Sequence, residues 1–346
     1  MSNRRVMNVP RNMTVRMAAQ GAWNMFRRKP LTVSFEVTHA CTANCWHCNW
    51  GGPIKETRLD PEGYARIWRT MRSPVVNVSG GEPLARGDLD DILRALTRPG
   101  KLPWVVVVSN ASQLTPERFL RLKRAGMHQL SLSIDFPDSR HDEFRRIPGL
   151  FERMDKIVPE CVRIGDESDI SLNCCITAWN YKSLADVVRL ADRWGVMVNF
   201  SAYSLLRVDE AGGLPQANGS KEGLKQAIQE VVDLKNRGSS VYTSEGALWK
   251  YYDFMCSGHT PGCRAGERFL VVNPDGRLTP CAMVMAYFDD QVSMRDEFTC
   301  KNECGACYIS TRANAEKTAG ELIAGNLEVL GQLLPWRWPM FQSNGG

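Results

Sequence analysis

The chain has 346 residues, of which 43% are apolar and 23% charged, a balance that excludes disordered and collagen-like polymers. At ~150 residues per domain it accommodates about two domains, or one barrel-sized unit with an appendage, and it can bury roughly three-quarters of its unfolded surface without disulfide staples. No run reaches ~18 uninterrupted apolar residues, and Arg4, Arg5, Arg11 and Arg16 break up the N-terminus before a secretory apolar stretch can form, so a cytoplasmic location is expected.

The net charge of +5 is unevenly placed. Residues 1–35 hold six Arg, one Lys and no carboxylate, with Met13, Val15, Met17, Ala18, Trp23, Met25 and Phe26 supplying apolar surface. The favoured reading of this first segment (1–30) is a helix docked on the body with its arginines in solvent. A basic amphipathic segment on an anionic membrane surface is the alternative, which would make the protein peripheral to a membrane.

From residue 31 an alternation begins that continues to about residue 240. Strands are expected at 31–38, 74–79, 103–109, 129–135, 169–177 and 195–203, because each is a short β-branched or apolar run. Helices are expected near 60–72, 87–98, 115–126, 149–162, 181–194 and 220–237. Asp60-Pro61 and Thr115-Pro116 supply N-caps followed by a first-turn proline, and Gly126 and Gly195 mark helix ends. Strand–helix alternation requires a parallel sheet with right-handed crossovers. The expected fold is therefore α/β, a partial (β/α)6 barrel or an open sheet, with its chemistry at the C-terminal ends of the strands.

Beyond residue 240 the pattern changes. Arg268–Val272 and Leu278–Cys281 flank Asn273-Pro274-Asp275-Gly276, a turn joining two short strands. This predicts a small α+β module over 241–320, followed by a tail over 321–346. In that tail Leu330, Leu333, Leu334, Trp336, Trp338, Met340 and Phe341 cluster around Arg337, and packing on the body is favoured over lipid presentation.

Twelve cysteines in a long chain without a secretory leader point to metal or catalysis rather than to disulfides. Cys41, Cys45 and Cys48 form a C-x3-C-x2-C loop directly after the first strand. Zinc normally takes four ligands, and this loop has no nearby fourth cysteine; three thiolates can hold three irons of a four-iron cube and leave the fourth open.

This loop, with His47 before its last cysteine, resembles the signature of the radical S-adenosylmethionine (radical SAM) superfamily. Ser79-Gly80-Gly81-Glu82-Pro83, one β–α unit later, is similar to the family's GGEP motif. The resemblance implies a [4Fe-4S] cluster on Cys41, Cys45 and Cys48, with SAM bound near His47, Gly80, Gly81, Glu82 and Pro83; Glu82 or neighbouring carbonyls would accept from the methionyl ammonium. It extends to Asn110 at the end of the third strand and to Ser133 and Asp135, which share a face of the fourth with Ser131. Asn173 and Tyr203 are expected to point into the same interior, whereas Cys161, Cys174 and Cys175 read as buried small hydrophobes. The stretch from His141 through Arg146 to Gly149 also has counterparts in relatives with C-terminal cluster domains, and helix capping and loop fixing are its two readings.

Cys263, the hairpin, Cys281 and then Cys304-x2-Cys307 resemble the auxiliary module called Twitch, a shortened SPASM domain. That likeness implies a second [4Fe-4S] cluster, with Cys256 and Cys300 left over. The implied enzyme reductively cleaves SAM to a 5′-deoxyadenosyl radical, abstracts hydrogen from an unactivated carbon, and oxidises or cross-links a small-molecule, peptide or lipid substrate, with flavodoxin or ferredoxin as reductant. A redox-neutral reaction on a lipid or peptide is the nearer alternative. A non-catalytic zinc or iron–sulfur scaffold binding nucleic acid is the more distant one, and no nucleic acid is expected.

Overall fold

The structure is a computed structural model that describes residues 9–165, 169–215 and 220–317; the apolar cluster at 330–341 lies outside these. The chain divides into two compact units, Met1–Ala315 and Glu316–Gly346.

After helix α1 (Arg11–Phe26), the first unit runs β1 (Thr32–Thr38), α2 (Pro61–Met71), β2 (Val75–Gly80), α3 (Leu89–Leu96), β3 (Trp104–Ser109), α4 (Pro116–Ala125), β4 (Gln129–Ser133), α5 (Arg140–Arg145), α6 (Leu150–Ile164), β5 (Ile170–Ile176), α7 (Leu184–Trp194) and β6 (Met197–Ala202). Then follow α8 (Lys221–Asn236), α9 (Glu245–Ser257), β7 (Phe269–Val272), β8 (Leu278–Thr279), α10 (Gln291–Glu297) and α11 (Ser310–Ala315). All six expected strands are present. So are the expected helix starts: the Asp60 carboxylate accepts from Gly63 N at 2.6 Å and the Thr115 hydroxyl from Arg118 N at 3.1 Å. Gly126 and Gly195 end their helices at φ 115° and 75°, a region open to glycine at little cost.

The strands form one sheet in the order β6-β5-β4-β3-β2-β1-β7-β8, parallel throughout except for the antiparallel β7–β8 hairpin. This is a partial barrel. The hairpin joins it directly, because β7 pairs in parallel with β1 from Thr32↔Phe269 to Phe35↔Val272. The appended C-terminal segment is therefore continuous with the sheet.

Alternation along the strands sorts the two faces. Val33, Phe35, Val76, Val78, Val105, Val107, Leu130, Leu132, Leu172 and Cys174 are fully buried against the helices. There α3 presents Leu89, Ile92, Leu93 and Leu96 at i, i+3, i+4 and i+7, each worth about 1.5–3 kcal/mol of burial. The other face carries half-buried Ser34, Asn77, Ser131, Ser133, Asn173 and Asn199. Cross-strand hydrogen bonds tie Asn77 Nδ2 to Ser34 Oγ (3.3 Å) and Asn199 Nδ2 to Asn173 Oδ1 (3.1 Å). The barrel interior is thus largely polar, with Val106 and Val108 of β3 as apolar members of the same face.

Arg86, 3% exposed, fixes the end of β1 where the cysteine loop departs. It donates to the carbonyls of Val37 (2.5 Å) and Leu59 (2.6 Å) and to the Tyr64 hydroxyl (2.8 Å), and pairs with Asp88 (2.6 Å). Replacing it leaves buried acceptors without donors, so Arg86→Met should cost about 3 kcal/mol or more. Urea unfolding of the two proteins checks this; an unchanged midpoint would remove the clamp role.

Candidate active site

At the C-terminal ends of the strands lies a cavity of about 120 Å³, lined by Cys41, Ala43, Cys45, His47, Cys48, Trp50, Gly80, Gly81, Val108, Ser109, Asn110, Ser133 and Arg145. Eight of the residues singled out in the sequence therefore meet in one place. Glu82 and Asp135 sit behind its wall, each with no exposed surface.

The thiol loop is held at several points. Cys41 N donates to Gly52 O at 3.1 Å, and Asn110 Nδ2 reaches Thr42 Oγ1 (3.0 Å) and Cys41 Sγ (3.7 Å). Asn44 N and Trp46 N donate to the carbonyls of Arg145 and Phe144, both at 3.3 Å. The second half of α5 is thus the mount on which the loop rests. This gives the stretch from His141 to Gly149 both of its expected roles, since Asp142 also accepts from Gly149 N (2.8 Å) and Phe151 N (2.7 Å) at the start of α6.

Gly80 and Gly81 form a turn against the loop's root, where Gly81 N donates to Thr38 O (2.7 Å) and Glu82 N to Ala40 O (2.9 Å). A Cβ on Gly81 would overlap Ala40 O, and one on Gly80, at φ 122°, would overlap Thr38 O; only glycine fits either position. The Glu82 side chain faces away from the cavity. Its oxygens accept from Leu84 N (2.9 Å), Ser109 Oγ (2.8 Å) and Asn110 N (2.7 Å). Of the two acceptors expected for a ligand ammonium, the Glu82 carboxylate is engaged as a strut between β2 and β3, and the carbonyls of the turn remain.

Sequence reasoning missed Arg145. Its Nε donates to Asp135 Oδ2 at 2.7 Å, and its Nη1 lies 3.6 Å from Cys45 Sγ. Asp135 Oδ1 accepts from Cys175 N (3.3 Å), and His141 Nδ1 accepts from Asp135 N (3.2 Å). Burial works against every charge here. Against burial, the guanidinium holds the Asp135 carboxyl below the usual range, while Asp135 and Cys45 keep Arg145 charged. Asp135 is thus committed to Arg145, whereas Ser133 stays on the cavity wall.

Cys174 lies in the apolar core as expected, but Cys175 is half-buried on the polar face. Its thiol is pushed up by burial and by the Asp135 charge, with Cys48 also in electrostatic reach. Tyr203, 2% exposed, feels the same thiol and donates to Glu210 O at 3.1 Å. Asn173 shares the face, as anticipated. Period two from Asn173 was the signal that could have placed Cys175 there as well.

The donor set suits an iron–sulfur cluster. Burial pushes the Cys41 thiol up to about 11 and raises that of Cys45 despite Arg145, so these thiols carry protons until a metal displaces them. Among the described residues, no three His, Cys, Asp or Glu side chains gather tightly enough for a single ion. His47 is half-buried, stacked on Phe144 at 5.0 Å, and its buried Nδ1 has no protein partner; a planar group with one unused polar atom thus lines the cavity. On another side of it, Trp50 stacks on His39 (4.0 Å) and Arg207 lies over Trp50 (5.2 Å) while pairing with Glu36 (3.4 Å).

Cys263, Cys281, Cys304 and Cys307 come together beyond the hairpin. The Cys281 thiol is raised to about 11 by burial, with Cys263 and Cys304 adding to it, and that of Cys307 to about 12 by burial, with Cys281 and Cys263 adding to it. Asn302 braces this set, donating to Cys263 O (2.9 Å) and accepting from Cys304 N (3.0 Å). Arg312, fully buried, donates to the carbonyls of Cys307, Thr260 and Pro261. Ser204, next to Tyr203, donates to Ala306 O at 2.9 Å, which ties the set to the end of β6. Cys300 is exposed, and Cys256 lies on α9 beside Tyr252.

Residues 35–191 match the sequence profile of the Radical SAM superfamily. An AdoMet-dependent heme synthase of Nitratidesulfovibrio vulgaris is 26% identical over 277 residues, covering 72% of each chain. A PqqA peptide cyclase of Methylocella silvestris is 25% identical over 266 residues, 73% of this chain and 68% of that protein. The fold is similar to that of SuiB of Streptococcus suis, solved with S-adenosylmethionine, with a TM-score of 0.62 at 17% identity over 82% of this chain and 70% of that one.

Burial holds His47 neutral by lowering its pKa to about 4. The unfolded imidazole takes a proton near pH 6.5. Stability contributed by the neutral ring is therefore complete at pH 7 and is lost as pH falls from about 6.5 toward 4. His47→Phe keeps the stacking and removes the titration. In the metal-free proteins, the wild type should lose about 2 kcal/mol more than the variant between pH 7 and pH 5; equal losses in urea melts would show that the ring is not buried neutral.

Proposed function

The chain belongs to the radical SAM superfamily, and from that membership we propose that it is an enzyme that oxidises or cross-links its substrate by hydrogen abstraction from an unactivated carbon. Cys41, Cys45 and Cys48 would hold three irons of a [4Fe-4S] cluster, with the fourth open to the amine and carboxylate of S-adenosylmethionine. Bound together and reduced, they supply a 5′-deoxyadenosyl radical. The observation that carries this reading is the cavity itself, where the thiol loop meets the Gly80-Gly81 turn, Asn110 and Ser133.

The protein's own contribution is positioning and exclusion of water, since the cofactor carries the hard chemistry. Gly80 and Gly81 leave room for close backbone approach, and His47, with Phe144 behind it, offers a flat contact for a base. Asn110 and Ser133 add polar contacts at the ends of the neighbouring strands β3 and β4. Arg145, locked by Asp135, puts a fixed positive charge beside one cluster thiolate, which favours the electron-rich reduced state. The substrate would lie in the lumen beside Asn173, Cys175 and Tyr203, in reach of hydroxyls and amides, with the Asp135–Arg145 pair behind Cys175. The relative named as a peptide cyclase supports bond formation within a peptide as one outcome.

Cys263, Cys281, Cys304 and Cys307 would hold the second cluster. Four thiolates leave no open iron, so its role would be to accept the electron released when a substrate radical is oxidised. A flavodoxin or ferredoxin would supply the reducing electron for the first.

Anaerobic reconstitution with iron and sulfide tests the proposal. The wild type should bind ~8 irons per chain and cleave S-adenosylmethionine under dithionite. The Cys41→Ala, Cys45→Ala, Cys48→Ala triple variant should lose that cleavage entirely. A Cys304→Ala, Cys307→Ala variant should retain it with ~4 irons. Purification with zinc alone, or cleavage by the triple variant, would overturn the assignment.

A further inference from the structure

Helix α1 is fastened to the body by one side and leaves the other bare. Met13 and Asn24 are its buried residues, and Asn24 Nδ2 donates to Pro30 O at 2.7 Å and Arg72 O at 3.1 Å. The opposite face carries Val15, Ala19, Ala22, Trp23 and Phe26, which recur at helical spacing (i, i+4, i+7, i+8, i+11) and are all exposed. Val15 is 61%, Trp23 56% and Phe26 78% exposed. The arginines lie in solvent as expected, but Val15, Trp23 and Phe26 lie there with them, while Met13 is buried.

Charge identifies what this face fits. Arg11, Arg16, Arg27 and Arg28 are exposed around it, and no carboxylate occurs before Glu36. Arg27 lies 5.8 Å over the Trp23 ring, so an amphipathic tryptophan and a cation share one edge. We propose that α1 is a peripheral membrane-docking helix, which lays Val15, Trp23 and Phe26 into the headgroup–acyl boundary of an anionic bilayer while its arginines meet lipid phosphates. A nucleic acid would be met by cations at the centre of the patch, whereas here the centre is Val15 and Phe26. A second copy would bring two sets of cations together. Among the described residues no helix is long and apolar enough to cross a membrane, and α1, at ~24 Å, is suited to lying on a surface.

The placement has a structural consequence. Asn24 anchors α1 to residues preceding β1 and β2, at the end of the sheet opposite the cavity. Docking would hold the barrel on the bilayer by its closed end, with the open end turned toward water and soluble electron donors.

The test uses the full chain and vesicles of phosphatidylcholine with or without phosphatidylglycerol. The wild type should co-sediment with the anionic vesicles, less so in high salt, and remain in the supernatant with neutral ones. A Val15→Asp, Phe26→Asp variant should bind at least ~10-fold more weakly while cleaving S-adenosylmethionine at the wild-type rate. Should that variant misfold, Arg16→Gln, Arg27→Gln, Arg28→Gln, confined to exposed cations, should show the same loss. No binding by the wild type, equal binding by wild type and variants (which would assign it to residues 316–346), or an apolar-face variant that instead abolishes self-association or RNA binding would each overturn the proposal.

Discussion

A buried cation beside a cysteine sulfur is the contact on which the site's architecture turns. Arg145 touches Asp135 and Cys45 while lending its backbone carbonyl to the cysteine loop, so one residue ties α5, the end of β4 and the cluster loop into a single body. Taking a guanidinium and a carboxylate out of water is costly, and mutual attraction repays this only when the remaining hydrogen-bonding capacity is satisfied. Asp135 meets that condition through Cys175 N as well as Arg145. The pair gives little net stability; it fixes the loop's position relative to the barrel and fills the space under it with positive charge. A loop of three cysteines without such a base would be free to choose among several geometries.

The strands and most helices were legible because the signals for them are local. Each strand sets a fully buried apolar row against the helices at every second position, and prolines, caps and glycines punctuate the rest. The thiol loop and the Gly-Gly turn were legible for the same reason, since each is a short contiguous segment whose residue types its chemistry restricts. Arg145 was hidden because its partner Cys45 lies 100 positions away, and nothing in a charged stretch on a short helix distinguishes the arginine that turns inward from its neighbour Arg146. The engagement of Glu82 was hidden in a related way. It lies in a turn whose residue types suggest a ligand, but its side chain turns to Ser109 and Asn110 at the end of the next strand.

Cys174 and Cys175 illustrate how much one step of register decides. Parallel pairing of Ser133 with Asn173 and of Cys175 with Ser201 assigns alternate residues of β5 to the two faces. Cys174 therefore packs among helix side chains while Cys175 shares the lumen with Asn173. Two adjacent residues of the same type acquire different surroundings: one thiol in apolar packing, the other beside a carboxylate–guanidinium pair and within electrostatic reach of Cys48.

The two ends of the barrel divide the chemistry between them. Strand C-termini in a parallel sheet present loops of free length, and there the chain places its thiols, its glycine turn and, through the β6–Ala306 contact, the second cysteine set. Strand N-termini are closed by short connections that can do little chemistry but can carry an added element, and α1 is that element. Because the hairpin β7–β8 pairs with β1, the same strand supports the added helix before it, the cluster loop after it and the auxiliary segment at its side. A displacement of β1 would therefore disturb all three together, which explains why its end is clamped by Arg86 through the carbonyl of Val37, a strand residue close to the root of the cysteine loop.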